Sequence, residues 1–151
     1  MHPGGVSARQ ITLMPSTYLS LHFHLVFSTK DRIPRVETSR RVRLYEYLGG
    51  TLRGLGAFPE GINRVADHVH ILAGLKATIT LADLMRELKK ASSSWIHNEI
   101  REGYAAFTVS ATARDAVKKY IANQEEHHRT KSFREELIEM LHKAQVQYDP
   151  K

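Results

Sequence analysis

Two histidines separated by one residue, His68-Val69-His70, are the first side chains here whose type and spacing point to chemistry. They lie in Val65-Ala66-Asp67-His68-Val69-His70-Ile71-Leu72-Ala73-Gly74, where apolar and polar residues alternate up to a glycine, the pattern of a β-strand. Residues two apart on a strand leave the same face, with Cα atoms ~7 Å apart, so both imidazoles can converge on one metal ion. Asp67 and Val69 point the other way. The pattern is short and permissive, and His22-Phe23-His24 repeats it. Taken alone, the pair reads more readily as decoration on one side of a sheet. Tyr120 and Gln124, four residues apart in a helical stretch, share a face, and Val117 and Ile121 share part of it. That segment alone reads as a core helix with a half-buried tyrosine. A third set is cationic: Lys30, Arg32 and Arg35 in a turn, Arg86, Lys89 and Lys90 on one helix, Lys118 and Lys119 on another. These are solvated faces or contacts to phosphate.

The bounds on the whole chain narrow the classes. With 151 residues, one domain is the expectation, large enough for a core without staples. Hydrophobic residues at 42% and charged residues at 25% are ordinary globular values and argue against wholesale disorder. The absence of cysteine excludes disulfides, thiolate metal sites and a cysteine nucleophile, which suits a reducing cytoplasm. No apolar run has the length of a membrane span, and the N-terminus lacks the pattern of a signal peptide. The net charge of +6 and a pI near 9.7 suit a polyanion partner.

The elements that must position these residues follow from the pattern. Residues 1–13 are small, polar and without period, and read as a disordered leader ahead of one domain over 14–151, with Met14 an alternative start. Tyr18 to Thr29 is the first strand, apolar at its centre. Thr38 or Ser39 caps a helix to about Leu55, with Val42, Tyr45, Leu48, Leu52 and Leu55 at helical spacing. Gly49 and Gly50 inside it cost about 1 kcal/mol each against alanine, tolerable where the helix packs closely on a sheet. Ala57 to Val65 leads as a second strand into the histidine strand. Thr80 and Asp83 form a capping-box variant opening a helix whose Leu81, Leu84, Met85, Leu88, Ala91 and Trp95 share one face. Tyr104 to Val109 is a fourth strand, and Thr112 with Asp115 forms a second capping box that opens the Tyr120 helix. Phe133 to His142 is a terminal amphipathic helix. The order spells an α+β fold of the split βαβ, ferredoxin-like kind. One antiparallel sheet carries helices on one face, a C-terminal helix is added, and His68 and His70 lie on a central strand.

Five separated stretches then resemble the single-tyrosine HUH transposases, the insertion-sequence-200-like family related to the repeat-associated tyrosine transposases. They are Phe23 to Lys30 (FHLVFSTK), Ala66 to Leu72 (ADHVHIL), Leu84 to Ser93 (LMRELKKASS), Gly103 to Ser110 (GYAAFTVS) and Tyr120 to His128 (YIANQEEHH). The resemblance runs from about Met14 to the end. It implies that His68 and His70 bind a divalent metal, Mg²⁺ or Mn²⁺, that Tyr120 is the catalytic nucleophile, and that Gln124 supplies a third metal ligand. It assigns no role to His24. It implies a homodimer with the sheet joined across the interface, and in some members the tyrosine helix serves the partner's site. The implied activity is metal-assisted cutting and rejoining of single-stranded DNA at hairpin-bearing ends through a covalent 5′-phosphotyrosine, without a nucleotide cofactor. The protein would work in the cytoplasm, on the nucleoid when bound to DNA. Two other readings are a domesticated endonuclease for repeat hairpins and a non-catalytic nucleic-acid-binding module. His127 and His128 either contribute ligands in place of Gln124 or cap the end of the helix as cations near its negative dipole end, the second being the favoured reading.

Overall fold

The computed structural model describes residues 18–28, 38–65, 68–96, 103–128 and 130–149. The expected leader and the turn carrying Lys30, Arg32 and Arg35 lie outside the described residues. Four strands form one antiparallel sheet: β1 (His22–Ser28), β2 (Phe58–Val65), β3 (His68–Gly74) and β4 (Ala105–Val109), in the order β2-β3-β1-β4. Helices α1 (Thr38–Gly54) and α2 (Leu81–Ile96) make the crossovers, which gives the ferredoxin-like arrangement that the element order implies. The histidine strand is therefore interior, paired with β1 on one side and β2 on the other.

Alternation along β1 and β3 divides the sheet into two unlike faces. Leu25, Phe27, Val69, Ile71 and Ala73 point to one face, where they pack with Leu44, Leu48 and Leu52 of α1 and Leu84 and Leu88 of α2. Full burial of each such leucine contributes roughly 2 kcal/mol. The buried stripe of α1 is Leu44-Leu48-Leu52, and Val42, expected on it, is 49% exposed. Two residues before Leu44 is about 200° around a helix, so a stripe centred on Leu44 turns Val42 outward. The helix ends where Gly56, at φ +87, lets Ala57 N–H donate to the Leu52 carbonyl and Gly56 N–H to that of Arg53.

The other face carries His24, His68, His70 and Leu72, in register across the sheet: His24 opposes Leu72, and Val26 opposes His70. It is covered by α3 (Arg114–Ala122), α4 (Gln124–His127) and α5 (Phe133–Lys143). The N-terminus of α3 differs from expectation. A short 3₁₀ turn over Ala111–Ala113 moves the start past Thr112, Ala113 becomes the N-cap with no side-chain bond, and Thr112 instead meets the Ser110 hydroxyl at 3.2 Å. At the start of α2 the expected cap forms, with Asp83 N–H donating to the Thr80 hydroxyl at 3.1 Å.

Candidate active site

α3 is tied to its own chain's sheet at both ends. The Arg114 guanidinium at its start bonds the Glu60 carboxylate on β2, which also meets His22 Nδ1 at 2.8 Å. At its end the Asn63 amide, also on β2, donates to the Ile121 carbonyl at 2.7 Å. Between these ties Ile121 packs on Leu72 and Val109. The result sets Tyr120 over β1 and β3, its ring 6.0 Å from that of His70 and 6.1 Å from that of His24. Tyrosine and histidine pair thus come together within one chain. The chain bends at Asn123, yet Gln124 lands on the same face as Tyr120, fully buried.

All four groups meet around a residue that the sequence reading passed over. Glu136, on the first turns of α5, is 2% exposed. Its Oε1 stands 3.1 Å from His70 Nε2, 3.1 Å from His128 Nε2 and 3.5 Å from His68 Nε2. Its Oε2 accepts from the Tyr120 hydroxyl and, at 3.1 Å, from Gln124 Nε2. Gln124 Oε1 meets His128 Nε2 at 3.2 Å. Phe133, three residues before Glu136, stacks on His68 at 4.1 Å between ring centroids. α5 is fixed in phase by a capping box in which Ser132 and Glu135 bond each other's backbone N–H.

His24 now has a position: its Nε2 lies 2.7 Å from His70 Nδ1, behind the site. Burial, and then the neighbouring His70, push its pKa down from 6.5 to about 3, so it is a neutral imidazole. A neutral His24 can accept a hydrogen bond from His70 Nδ1–H, the tautomer that leaves the His70 Nε2 lone pair available to an ion. Burial lowers the pKa of His70 as well, against the pull of the Glu136 carboxylate. Burial alone would raise the Glu136 carboxyl. The imidazoles of His68 and His70 and the Tyr120 hydroxyl outweigh it and hold the group far below the usual carboxylate range. Tyr120 moves the opposite way: burial, then its bond to Glu136 and that group's charge, push the phenol above its ordinary value.

The donor set fits a divalent cation. One atom each from His68, His70, His128 and Glu136 falls within a 4.8 Å span, and imidazole nitrogen with carboxylate oxygen is a set that Mn²⁺ accepts. His128 therefore belongs to the cluster instead of serving as a solvated helix-end cation, and His127 stacks on the Tyr120 ring at 4.4 Å. The cationic residues divide. Lys118 and Lys119 are exposed on α3, on the layer that holds the site. Arg86, Lys89 and Lys90 are on α2, across the sheet from it, and Arg86 pairs with Asp83 at 3.0 Å.

Glu136 had one legible signal. Ser132-Phe133-Arg134-Glu135 is a capping-box pattern, which sets the helix phase and puts Phe133 and Glu136 on one face. The pairing of His24 with His70 depends on register across β1 and β3, which local pattern does not carry.

Residues 17–124 match the family described as "Transposase IS200 like". Among solved structures, a presumed transposase from Deinococcus radiodurans is similar at TM-score 0.56 and 24% identity, covering 76% of this chain and 98% of that one. A REP-associated tyrosine transposase bound to a REP hairpin is similar at TM-score 0.58 and 13% identity, covering 78% of this chain and 74% of that one. At these identities the likeness is one of fold. No curated protein matches the sequence. The family match ends at Gln124, so His128, Glu136 and all of α5 lie beyond it.

Proposed function

The chain belongs to the IS200-like transposase family, and we propose that it cuts and rejoins single-stranded DNA at hairpin-bearing ends through Tyr120. The observation that carries this reading is the Tyr120 hydroxyl, held in the same buried cluster as His68, His70 and Gln124 by elements of one chain. In the proposed step the Tyr120 oxygen bonds to a backbone phosphorus and the bond from phosphorus to the 3′-oxygen breaks. The phenol proton is lost, the departing oxygen gains one, and the products are a 5′-phosphotyrosine and a free 3′-hydroxyl. The link conserves the energy of the phosphodiester, so the 3′-hydroxyl of another strand can reverse the step without ATP.

His68 and His70, with Gln124 as the third candidate donor, would hold Mg²⁺ or Mn²⁺. The ion, when bound, polarises the scissile phosphate and favours the phenolate of Tyr120. His24 fixes the ring of His70 from behind, and α3 brings the nucleophile up through Arg114 and Asn63. Lys118 and Lys119, beside the site, are proposed phosphate contacts, as are Lys30, Arg32, Arg35, Arg86, Lys89 and Lys90. DNA affinity should then fall steeply as salt rises from ~50 to ~200 mM. The resemblance implies a homodimer, and within one chain Tyr120 lies beside His70, its ring 6.0 Å away. Action in the cytoplasm is part of the same reading. Among the described residues no helix is long and apolar enough to cross a membrane.

The deciding experiment incubates hairpin DNA from the gene's flanks with Mn²⁺ and wild type, Tyr120→Phe or His68→Ala, on a denaturing gel. A covalent protein–DNA adduct with wild type only is the expected result. Equal DNA binding by all three with no adduct would favour the non-catalytic binding module.

A further inference from the structure

We propose that Glu136 is a metal ligand, so that α5, outside the matched family residues, completes the site and supplies an anionic donor. This rests on the reading that His68 and His70 bind a divalent ion.

Three observations carry it. The first is crowding at one oxygen. A carboxylate oxygen has lone pairs for about two hydrogen bonds, yet three imidazole Nε2 atoms, at 3.1, 3.1 and 3.5 Å, face Oε1 of Glu136. Donors held ~2.1 Å from one ion stand ~3.0–3.5 Å apart, so these separations are those of ligand edges around a cation. The second is division of labour within the carboxylate. Oε1 faces the imidazoles while Oε2 accepts from Tyr120 and Gln124. The group can therefore give one oxygen to an ion and keep the other on the nucleophile. The third is that α5 is built for this place: its capping box fixes the phase, Phe133 stacks on His68, and Glu136 is buried one turn on. A buried carboxylate is costly unless a positive charge joins it.

One consequence is electrostatic. Two imidazoles and an amide leave an ion its full charge, whereas Glu136 offsets one unit, favouring retention of the metal over polarising power. Gln124, whose amide bridges His128 and Glu136, then orients both.

The test is calorimetric titration of Mn²⁺ into the full chain without DNA. Wild type should bind one ion, Glu136→Gln should bind at least ~10-fold more weakly, and His68→Ala should lose the site. Metal-free melting checks that each variant folds, and Glu136→Asp, a carboxylate one methylene shorter, replaces Glu136→Gln should that variant fail to fold. Equal or tighter binding by the Glu136 variant, with loss in His68→Ala, would overturn the proposal and make the carboxylate a plug, leaving the strand-transfer reading intact. No binding by wild type, or binding by His68→Ala equal to wild type, would overturn both.

Discussion

The two faces of the sheet are made by the same strands and obey different rules. In β3, Val69, Ile71 and Ala73 alternate with His68, His70 and Leu72, and all are buried. On the first face, leucines of α1 and α2 meet apolar strand residues, and no individual contact is directional. On the second, beside the apolar cluster of Leu72, Val109 and Ile121, the buried groups that face the site are polar and have specific neighbours: His24 with His70, Glu136 with Tyr120, Gln124 and His128. The apolar face can carry the stability, and the polar face can hold charges and lone pairs in fixed directions at some cost to it. Stability and chemistry are thus assigned to opposite sides of one strand, one residue apart.

The largest expected effect breaks the apolar side alone. Leu48, 1% exposed in the core of α1, loses both buried area and fit on truncation. Leu48→Ala should cost ~2–5 kcal/mol of stability, read by urea unfolding in chelator. Mn²⁺ affinity measured on the folded variant should match wild type. If affinity fell together with stability, the two faces would be one cooperative unit and the division would be wrong.

That division also explains which parts were legible in the sequence. The alternation of Val69 and Ile71 with His68 and His70, and the helical spacing of Leu84 and Leu88, are local patterns, and they gave strand, helix and sheet order correctly. The same locality failed by small amounts where two neighbouring phases competed, at Val42 against Leu44 and at Thr112 against Ala113. Tyr120, His68, His70 and Gln124, which the structure brings together, stood out because they sit in recognisable stretches. Glu136 did not, since its contact with His70 crosses a long sequence separation, and His128, inside one of those stretches, was open to a ligand or a capping role. A carboxylate on an amphipathic helix looks like any solvated acid until the fold buries it.

The second effect concerns only the polar face and appears with pH. His24 has a pKa lowered from 6.5 to about 3 by burial and by His70. Between those values the unfolded chain binds a proton at this residue and the folded chain does not. Stability therefore rises with pH across that window and falls as the solution is acidified from 6.5 toward 3. At about pH 5 the loss from this residue should be about 2 kcal/mol relative to pH 7, in metal-free protein. His24→Gln, which does not titrate, should unfold with a correspondingly flatter profile, measured as the urea midpoint from pH 7 to 5. Leu48→Ala should keep the wild-type slope while lying below it throughout. A His24→Gln profile parallel to wild type would show that the acid sensitivity of this face arises elsewhere.

The smallest effect lies where the faces are joined. Tyr45 of α1, on the apolar side, donates its hydroxyl to Asn63 Oδ1 at 2.7 Å at the β2 edge, and Asn63 Nδ2 donates to the Ile121 carbonyl at the end of the tyrosine helix at 2.7 Å. One amide thus links the layer that holds the fold together to the layer that presents the nucleophile. Asn63→Ala removes both bonds and should cost ~1 kcal/mol, near the net value of such hydrogen bonds. Tyr45→Phe removes the first, together with the bond that Arg64 N–H donates to the Tyr45 hydroxyl at 2.9 Å, keeps the second, and should cost a similar amount. The two should separate in the rate of covalent adduct formation at saturating Mn²⁺. Asn63→Ala frees the end of α3 that bears Tyr120 and should be slowed several-fold, whereas Tyr45→Phe should stay near wild type, with Mn²⁺ affinity unchanged in both. Equal rates in the two variants would mean that α3 is positioned by Ile121 packing and the Arg114–Glu60 pair alone, and that the faces communicate only through the strands they share.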